Sequence, residues 1–580
     1  MIGLADYHLI KLFCHQIIWL KKYLRRCAMD LSENARRWVG LVAVALGVAL
    51  IVVDTTIVNV ITPSVINDLN IDSSQAQWIQ ESYAVVFAAL LVVVGRISDL
   101  RGAKTVFLVG VVVFGLTSLL AGLAPTGEIL ILARFLQGIG AAAVLPTSLA
   151  LLNAMFTGAA RGKAFAVWGS TIGAATALGP VLGGWLSEHA SWRWAFGINI
   201  PLTIVIVVIG ALFLFQPARS RGGVDGLGAA LSVIGLGLLA FGVVEGRVYG
   251  RVVSKSAFDL FGWRWDSGLS PAFVALVVAV LVLALFVWRQ VRLSRSDSRH
   301  QPLMDTRLFS IASFRNGNIA TLIIGLGEFG IIAVLPLWLQ FTLGYSPLQA
   351  GLALVPIAIG SFVASGISFP VSNRVSALTF VRLGLILEVL GLAGLGLVAA
   401  LTDASWLLIA VILFFYGVGV GFATAQVTNV VLADVPTDGG GQSSGIQSTF
   451  RQLGSALGIA ALTTVFFSSL GTTLQGKLEA SGLAPSDAKG FADAVTDSAG
   501  AAIEPIGQVP GLDYVADLAR QSMTDAVAFG AFLAAGFLVV GVITTYLIPS
   551  RPAGSDTSNH TERTASEPSA FTTTTTGVAR

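Results

Sequence analysis

Residues 39–61 read VGLVAVALGVALIVVDTTIVNVI, an apolar run that contains one charged side chain, Asp54. A helix of about 20 such residues is long enough to cross the hydrocarbon core of a bilayer. Similar runs recur along the chain, in which 55% of the 580 residues are hydrophobic and 12% are charged. Soluble proteins have about twice this share of charged residues, and so few charges could not cover so large an apolar surface in water. The sequence therefore predicts an integral membrane protein with many spans.

Fourteen apolar segments are long enough to span a membrane, and they form groups of six, two and six. They lie at 39–61, 78–97, 105–123, 128–152, 163–186 and 196–215, then at 226–245 and 271–288, then at 316–342, 347–370, 377–400, 404–430, 444–468 and 525–548. This order predicts an all-α fold with six-helix bundles at 39–215 and 301–548, and two inserted helices with a linker at 216–300. Residues 1–38 are predicted to form a cytoplasmic extension, and 549–580 a disordered cytoplasmic tail.

The distribution of basic residues predicts the orientation. With the N terminus in the cytoplasm, 25 of the 35 Lys and Arg residues fall in cytoplasmic segments, eight in outer loops and two within spans. Cytoplasmic loops are rich in Lys and Arg, so this split favours a multi-pass inner or plasma membrane protein with both termini in the cytoplasm. The longest outer loop, 469–524, is acidic. It is interpreted as a solvated spacer, with collection of cations as the alternative.

Composition argues against several classes of function. The two cysteines, Cys14 and Cys27, cannot build a disulfide framework or a Cys/His metal site. The run GAARGK at 158–163 lacks the spacing and the Ser or Thr of a phosphate-binding loop, which disfavours an ATP-driven pump. The net charge of +3 resides in loops that set topology, so no nucleic-acid partner is expected. We expect no metal and no cofactor, with a proton gradient as the energy source.

The two six-span groups show an internal repeat. Ser98-Asp99 is followed by Gly110 at the same spacing as Ser372-Asn373 is followed by Gly384, each pair in a short loop after an even-numbered span. QGIG at 137–140 is likewise echoed by YGVG at 416–419. Parallel repeats of this kind are typical of alternating-access transporters, whose substrate site lies between the two halves.

The loop after the second span reads GRISDLRGAK at 95–104. Gly95 and Gly102 permit close helix approach and a tight turn. Asp99 can lie on the N terminus of a neighbouring helix and pair with Arg101 or another basic group, which would lock one face of the protein. The alternative is an ordinary basic cytoplasmic loop. The motif resembles the signature loop of the major facilitator superfamily, which implies that these residues form a conformational switch.

Asp54 is the most informative residue of the first span. An acidic side chain inside an apolar span costs roughly 2.5–3.5 kcal/mol on insertion scales and marks a functional site by default. It is a candidate proton carrier; alternatively it is structural and bonded to Thr55, Asn59 or a neighbouring span. The run LIVVDTTIVNVITPSV at 50–65 resembles the opening motif of the fourteen-span drug:proton antiporters of the EmrB/QacA type.

Spans four and five carry two further motifs. Arg134 opens RFLQGIGAAAV, and the resemblance implies that it takes part in proton coupling with Gln137 beside it; structural pairing is the alternative. The fifth span contains Gly179-Pro180 in WGSTIGAATALGPVLGGWL, 168–186. Its small residues open a groove and its proline bends the helix. This run resembles the antiporter motif of the superfamily's exporters, which favours export and is compatible with tight helix packing.

The C-terminal half has buried charges of its own. Glu328 is predicted to take part in proton coupling or to bind a cationic substrate, because the ninth span is equivalent to the first. Glu388 could likewise bind a cationic substrate or a second proton; it is assigned to the substrate cavity, with a buried structural bond as the alternative. Arg451 is predicted to be structural. The aromatic side chains of Phe329 and Trp338 are candidates to stack on flat ligands. The predicted substrate cavity combines Asn59, Gln137, Phe329, Trp338 and Glu388.

Together these features predict a proton-coupled multidrug efflux transporter that exports amphiphilic, often cationic, compounds by alternating access. Its predicted partners are such small molecules, protons and the lipid bilayer, with a periplasmic or cell-envelope accessory protein as a further option. The protein is predicted to be a monomer. The alternative is export of an endogenous lipid, siderophore or natural product. A membrane enzyme is disfavoured, since no loop of the sequence presents a catalytic set of side chains. A scramblase is disfavoured, since it would dissipate gradients and would need no buried Asp and Arg residues.

Overall fold

The computed structural model describes most of the chain. The described residues are 32–71, 73–220, 223–246, 249–250, 252–260, 263–266, 268–295, 302–371, 374–400, 406–436 and 440–549. The N-terminal extension predicted for 1–38 and the tail predicted for 549–580 therefore lie almost wholly outside the described residues.

The described residues form helices and one small β-hairpin. The helices are α1 Glu33–Leu69, α2 Ser73–Arg101, α3 Ala103–Gly122, α4 Gly127–Met155, α5 Gly158–His189, α6 Arg193–Gly197, α7 Asn199–Phe213, α8 Gly226–Glu245, α9 Pro271–Arg295, α10 Ala312–Phe341, α11 Pro347–Ala353, α12 Val355–Val371, α13 Ala377–Ala400, α14 Trp406–Val431, α15 Gly440–Ala480, α16 Pro485–Asp497, α17 Ile503–Gly507 and α18 Asp513–Thr545. A single 3₁₀ turn, Thr306–Ser310, precedes α10.

The described residues contain fourteen helical spans that are long and apolar enough to cross a membrane, which confirms the predicted number. Two spans consist of two helical segments, α6 with α7 and α11 with α12. In each case a proline, Pro201 or Pro356, lies in the first turn of the second segment. Proline has no backbone N–H and is tolerated in a first turn but not in the middle of a helix, so it accounts for the break.

The helices segregate into two bundles. The N-terminal bundle comprises α1 to α7 and the C-terminal bundle α10 to α15 with α18. The bundles meet where α2 packs against α15 and where α5 packs against α12 and α14. Large apolar side chains are exposed on the outer surfaces of both bundles, where they face lipid in a membrane protein; examples are Leu116, Leu390 and Leu397.

The two inserted helices, α8 and α9, form a pair on the α2/α15 side of the molecule. Helix α8 packs most extensively against α9; of the two bundles, it packs mainly on α2 and touches α15 along a smaller face. The short strands β1, Phe258–Leu260, and β2, Trp263–Trp265, pair antiparallel in the connection between the two helices. At the other end of the pair, Arg289 of α9 donates to both carboxylate oxygens of Asp225. Burial raises the pKa of Asp225, but the hydrogen bonds from Arg289 and Gln290 and the charge of Arg289 outweigh it, so the pKa is lowered.

The structure of segment 469–524 differs from the solvated spacer expected from the sequence. Helix α15 continues beyond the membrane span to Ala480, and α16, α17 and the first turns of α18 occupy the rest of the segment. Leu470, Leu474 and Leu478 are fully buried, one helical turn apart. This spacing places them on one face of α15, where they form a core with α16 and α18. The segment is therefore a packed helical cap.

Candidate transport site

Asp54 and Arg134 form a buried ion pair in the N-terminal bundle. Asp54 on α1 has no exposed surface and Arg134 on α4 is 1% exposed. Arg134 Nη1 lies 2.5 Å from Asp54 Oδ2, and Arg134 Nε donates to the Ile79 carbonyl oxygen on α2 at 3.1 Å. Breaking a buried ion pair by removing one partner costs about 3–5 kcal/mol, so these two residues depend on each other.

Three neutral side chains complete the network around Asp54. Gln137 Nε2 donates to Asp54 Oδ1 at 2.9 Å and to Ser118 Oγ at 2.8 Å. Asn199 Nδ2 donates to the same Asp54 oxygen at 2.8 Å and to Ser118 Oγ at 3.2 Å. The Gln137 side-chain oxygen accepts from Arg134 at 2.7 Å. Both oxygens of Asp54 therefore accept hydrogen bonds, from donors on α4 and α7.

Sequence reasoning missed Asn199 and Ser118. Both are polar residues inside apolar spans, which is a weaker form of the signal that identified Asp54. Asn59, a predicted member of the site, belongs to α1, but its side chain lies outside the described residues.

A large cavity adjoins this network. It has a volume of about 1910 Å³ and lies between the bundles, with walls from α1, α2, α5, α8, α10 and α15. Tyr83 and Arg134 belong to its wall, and the Arg134 guanidinium carbon lies 4.3 Å from the centre of the Tyr83 ring. Arg134 thus brings the ion pair into contact with the cavity, whereas Asp54 is not part of the cavity wall.

The cavity lies in the half of the molecule away from the start of α1. We call the face at which α1 begins the N-terminal face; Arg36 of α1 and Lys104 of α3 both bond there to carbonyls at the end of α7. The cavity wall instead includes exposed Asp493 and Asp497 of the helical cap and exposed Lys255 of the inserted segment. The cavity therefore reaches solvent at the face opposite the N-terminal face.

The N-terminal face is closed by Asp99. Its Oδ1 accepts from the Gly441 N–H at 2.6 Å and its Oδ2 from the Gln442 N–H at 2.8 Å, so the carboxylate lies on the N terminus of α15 in the other bundle. A negative charge at a helix N terminus is stabilising, because free N–H groups and the helix dipole favour it. Arg101 is exposed; the charge that acts on Asp99 is that of Arg96.

Glycines make this closure possible. A Cβ on Gly95 would lie 2.6 Å from the Gly441 carbonyl oxygen, so α2 and α15 approach closely only because the residue is glycine. Gly102 has φ 95°, a left-handed conformation that L side chains rarely adopt. Its packing partner is Gln216, beyond the end of α7. The role of Gly95, Asp99, Arg101 and Gly102 as a conformational switch stays a prediction.

Helix α5 packs closely against both bundles at its motif. A Cβ on Gly179 would clash with the hydroxyl of Thr56 on α1. Pro180 lines the cavity, and its carbonyl carbon lies 3.2 Å from the position of a Cβ on Gly351 of α11. The small residues of this motif therefore form a contact surface that α1 and α11 share.

The C-terminal bundle contains a second cluster of buried charges. Glu328 on α10, Glu388 on α13 and Arg451 on α15 act electrostatically on one another. Thr424 Oγ1 donates to Glu328 Oε1 at 3.0 Å, and the Tyr416 hydroxyl donates to the Glu328 backbone oxygen at 3.1 Å. The Arg451 guanidinium lies 5.6 Å from the ring centre of Phe329 and 5.9 Å from that of Trp168 on α5.

Four of the residues predicted to line the substrate cavity, Gln137, Phe329, Trp338 and Glu388, are not part of the cavity wall in this conformation. Gln137 belongs to the Asp54 network, and Glu388 has no exposed surface. Trp338 is buried, and its indole N–H donates to Thr524 of α18 at 3.2 Å. Phe329 contacts Arg451. The residues were chosen by chemical type, and a helical pattern alone cannot tell a cavity wall from the interior of a bundle.

Two six-helix bundles with a cavity between them, closed at one face and open at the other, define an alternating-access membrane transporter. The chain belongs to the major facilitator superfamily, whose family model matches residues 44–243 and 233–459.

Relatives and solved structures agree with this assignment. The chain is 33% identical over 442 residues to puromycin resistance protein pur8 of Streptomyces alboniger, covering 75% of this chain and 82% of that protein. It is 30% identical over 479 residues to multidrug resistance protein Stp of Mycobacterium tuberculosis, covering 82% and 84%. The crystal structure of the human organic anion transporter MFSD10 (TETRAN) matches with a TM-score of 0.56 at 14% identity, covering 88% and 99%, which shows a shared fold.

Proposed function

We propose that this protein is a proton-coupled multidrug exporter that moves amphiphilic, often cationic, compounds out of the cell in exchange for protons. The observation that carries the proposal is the buried Asp54–Arg134 pair beside a cavity between the bundles. Similarity to two proteins named for resistance supports export of toxic compounds as the biological task.

The cavity suits large and varied substrates. Its volume of about 1910 Å³ exceeds the roughly 300–1,000 Å³ of a typical small-molecule pocket. Its walls are mainly apolar but also carry neutral polar side chains, such as Gln80, Gln340 and Gln452. Acidic Glu81, Asp493 and Asp497 also belong to the wall and would favour cations.

Asp54 is the proposed proton carrier. In the described state its charge is neutralised by Arg134, and its oxygens accept from Gln137 and Asn199. Protonation of Asp54 would leave the Arg134 cation without its counter-charge, and Arg134 would then find the nearest polar environment at the cavity surface. A cationic substrate in the cavity would oppose that movement. Proton and substrate binding are therefore mutually exclusive, which couples the two flows.

The Asp99 contact is the proposed closure of the cytoplasmic face. Because Asp99 bonds to the first N–H groups of α15, opening this face requires both hydrogen bonds to break. The proposal places the N and C termini in the cytoplasm of a plasma or inner membrane, so that the described conformation faces outward. It treats the protein as a monomer, with an envelope accessory protein as an optional partner.

Inside-out membrane vesicles test proton coupling, with ethidium as the transported probe. Wild type should accumulate ethidium when the lumen is made acidic, and Asp54→Asn should abolish the dependence on the pH gradient. Asp487→Asn, which alters an exposed acid on α16, is the matched control and should behave as wild type. Accumulation that ignores both the gradient and Asp54 would refute the antiport proposal.

Cysteine labelling tests the orientation. With Cys14 and Cys27 replaced by Ser, Asp487→Cys should react with a membrane-impermeant maleimide added outside intact cells. Reaction only after the cytoplasmic side is exposed would overturn the topology.

A further inference from the structure

The buried charges of the C-terminal bundle do not balance. Glu328, Glu388 and Arg451 are 4%, 0% and 7% exposed, and each acts on the other two. Two carboxyl groups are thus buried near one guanidinium, and the Nη2 of Arg451 has no hydrogen-bond partner among the described residues. A buried charge without a counter-charge is far more expensive than a buried neutral group. If both acids were ionised, the cluster would hold an excess negative charge inside the bilayer.

The surroundings of Glu388 supply no further compensation. The other charged residue of α13 is Arg382, which lies almost two helical turns from Glu388. Its guanidinium donates to the hydroxyl and the backbone oxygen of Thr545 on α18. Helix α14 presents Tyr416 to this region. Helix α18, which also packs against α13, has no titratable side chain between Ala526 and Thr545. Arg451 is thus the cation that faces both acids among the described residues.

The two acids differ in their hydrogen bonds. The Thr424 hydroxyl lies within hydrogen-bond distance of both Glu328 oxygens, at 3.0 and 3.3 Å. Neither oxygen of Glu388 has a hydrogen-bond partner among the described residues. Its side chain lies against Gly419 of α14, where an added Cβ would be 2.8 Å from Glu388 Cγ. A neutral acid tolerates such a site better than a carboxylate does.

We propose that this cluster is a second proton-binding site, in which Glu388 carries one proton while Glu328 stays ionised opposite Arg451. The proposal rests on the proton-coupled function given above and adds a coupled proton in the C-terminal bundle. From the sequence alone either acid could take a second proton, with Glu328 favoured; the proposal gives the proton to Glu388 instead.

The site lies one helical turn from the transport pathway. Gln452, next to Arg451, and Ile332, four residues after Glu328, both line the cavity. Arg451 also reaches Trp168 of the N-terminal bundle. When the bundles move relative to each other, the surroundings of Arg451 change, and with them the charge balance that retains the proton. In the described conformation the cluster is occluded, so the proton is held there until the bundles rearrange.

Infrared spectroscopy of the full-length protein in lipid nanodiscs tests the charge count directly. The carbonyl stretch of a buried protonated carboxyl group is the signal, measured at neutral pH as the difference between wild type and variant. Glu388→Gln should lose one such group. Glu328→Gln should also lose one, because Glu388 then becomes the sole partner of Arg451 and ionises. Arg451→Gln should gain one, because neither acid retains a counter-charge.

Controls keep the result decisive. Glu479→Gln, at an exposed acid of α15, should leave the signal unchanged. A wild-type signal that survives in Glu388→Gln, or in Glu328→Gln, would overturn the proposal. If the variants do not fold, wild type with isotope-labelled glutamate must still show a shifted protonated carboxyl band at neutral pH; its absence overturns the proposal as well.

Transport measurements can distinguish failure of the second proton site from failure of proton antiport itself. A gradient of about one pH unit is worth a tenfold accumulation ratio per coupled proton. In proteoliposomes, Glu388→Gln should therefore lower the limiting ethidium ratio about tenfold per pH unit while keeping some dependence on the gradient, whereas Asp54→Asn loses that dependence. An unchanged ratio in Glu388→Gln, with Asp54→Asn impaired, would refute the second site alone. Indifference of both variants would refute antiport itself.

Discussion

The two bundles bury charge in different ways. In the N-terminal bundle one acid meets one base, and Asp54 accepts from Arg134, Gln137 and Asn199. In the C-terminal bundle two acids meet one base, and Glu388 has no hydrogen bond among the described residues. In the mechanism proposed above, the first arrangement holds a carboxylate without a proton and the second keeps a proton. One duplicated architecture thus offers a site poised to accept a proton and a site poised to retain one.

Replacing Arg134 with Gln should have the largest effect. Asp54 would then be a buried carboxylate without a counter-charge, which should lower the free energy of unfolding by about 3–5 kcal/mol. Denaturant unfolding of the purified protein in detergent measures this, and adding Asp54→Asn should recover most of the loss. Arg451→Gln should cost less, because Arg134 bonds directly to Asp54 whereas the Nη2 of Arg451 has no hydrogen-bond partner among the described residues. Equal losses at the two arginines would remove the proposed contrast between the bundles.

Asn199→Ala tests the hydrogen bonds that favour the charged form of Asp54. Losing the Asn199 amide removes a bond to a charged acceptor, so a decrease of about 1.5–3 kcal/mol in unfolding free energy is expected. Asn316→Ala, which removes an exposed amide bond to the Leu547 carbonyl, is the matched control and should cost less. If both changes have the same small effect, the Asp54 network is not the tightly bonded region described.

Tyr416→Phe should have a smaller effect in the C-terminal cluster. The hydroxyl donates to the Glu328 backbone oxygen at 3.1 Å, a neutral hydrogen bond worth about 0.5–1.5 kcal/mol. Thermal unfolding followed by near-ultraviolet circular dichroism measures the change, with Tyr514→Phe, at an exposed tyrosine, as the control. A loss as large as that of Arg134→Gln would mean that the hydroxyl supports more than the position of α10.

Glu388→Gln should change stability least, by less than about 1 kcal/mol. A neutral amide that replaces a neutral acid alters no charge, whereas Asp54→Asn leaves Arg134 buried without its partner. The two variants should be compared by denaturant unfolding at neutral pH. A large loss in Glu388→Gln would show that Glu388 is ionised in the folded protein, which contradicts the proposed proton.

Much of the fold could be predicted, because length and hydropathy decide which segments cross a bilayer. All fourteen spans were found, and the repeat predicted two bundles. The helical cap was missed because its apolar residues, such as Leu474 and Leu478, are diluted by polar ones on the opposite face. The helix breaks at Pro201 and Pro356 were also missed, because the average hydrophobicity of a segment does not show where a proline interrupts the helix.

The candidate site was predicted residue by residue but not as an assembly. Asp54 and Arg134 stood out because charge inside a span is expensive. Their direct pairing was not predicted, because it depends on how α1 and α4 are rotated about their axes. Asn199 escaped notice for the same reason: an amide in an apolar run gains meaning only when its partner is known. Trp338 is buried and bonds to Thr524 in the described conformation, so its role in substrate binding stays a prediction.

The unequal packing of the inserted pair has a practical consequence. Helix α8 lies mainly on α2, of the N-terminal bundle, and meets α15 along a smaller face. A spin label on α8 should therefore keep a constant distance to a label on α3 through the transport cycle, while its distance to α15 changes. If the measured distances behave in this way, the inserted pair can serve as a reference from which pulsed-resonance measurements read the rotation of one bundle against the other.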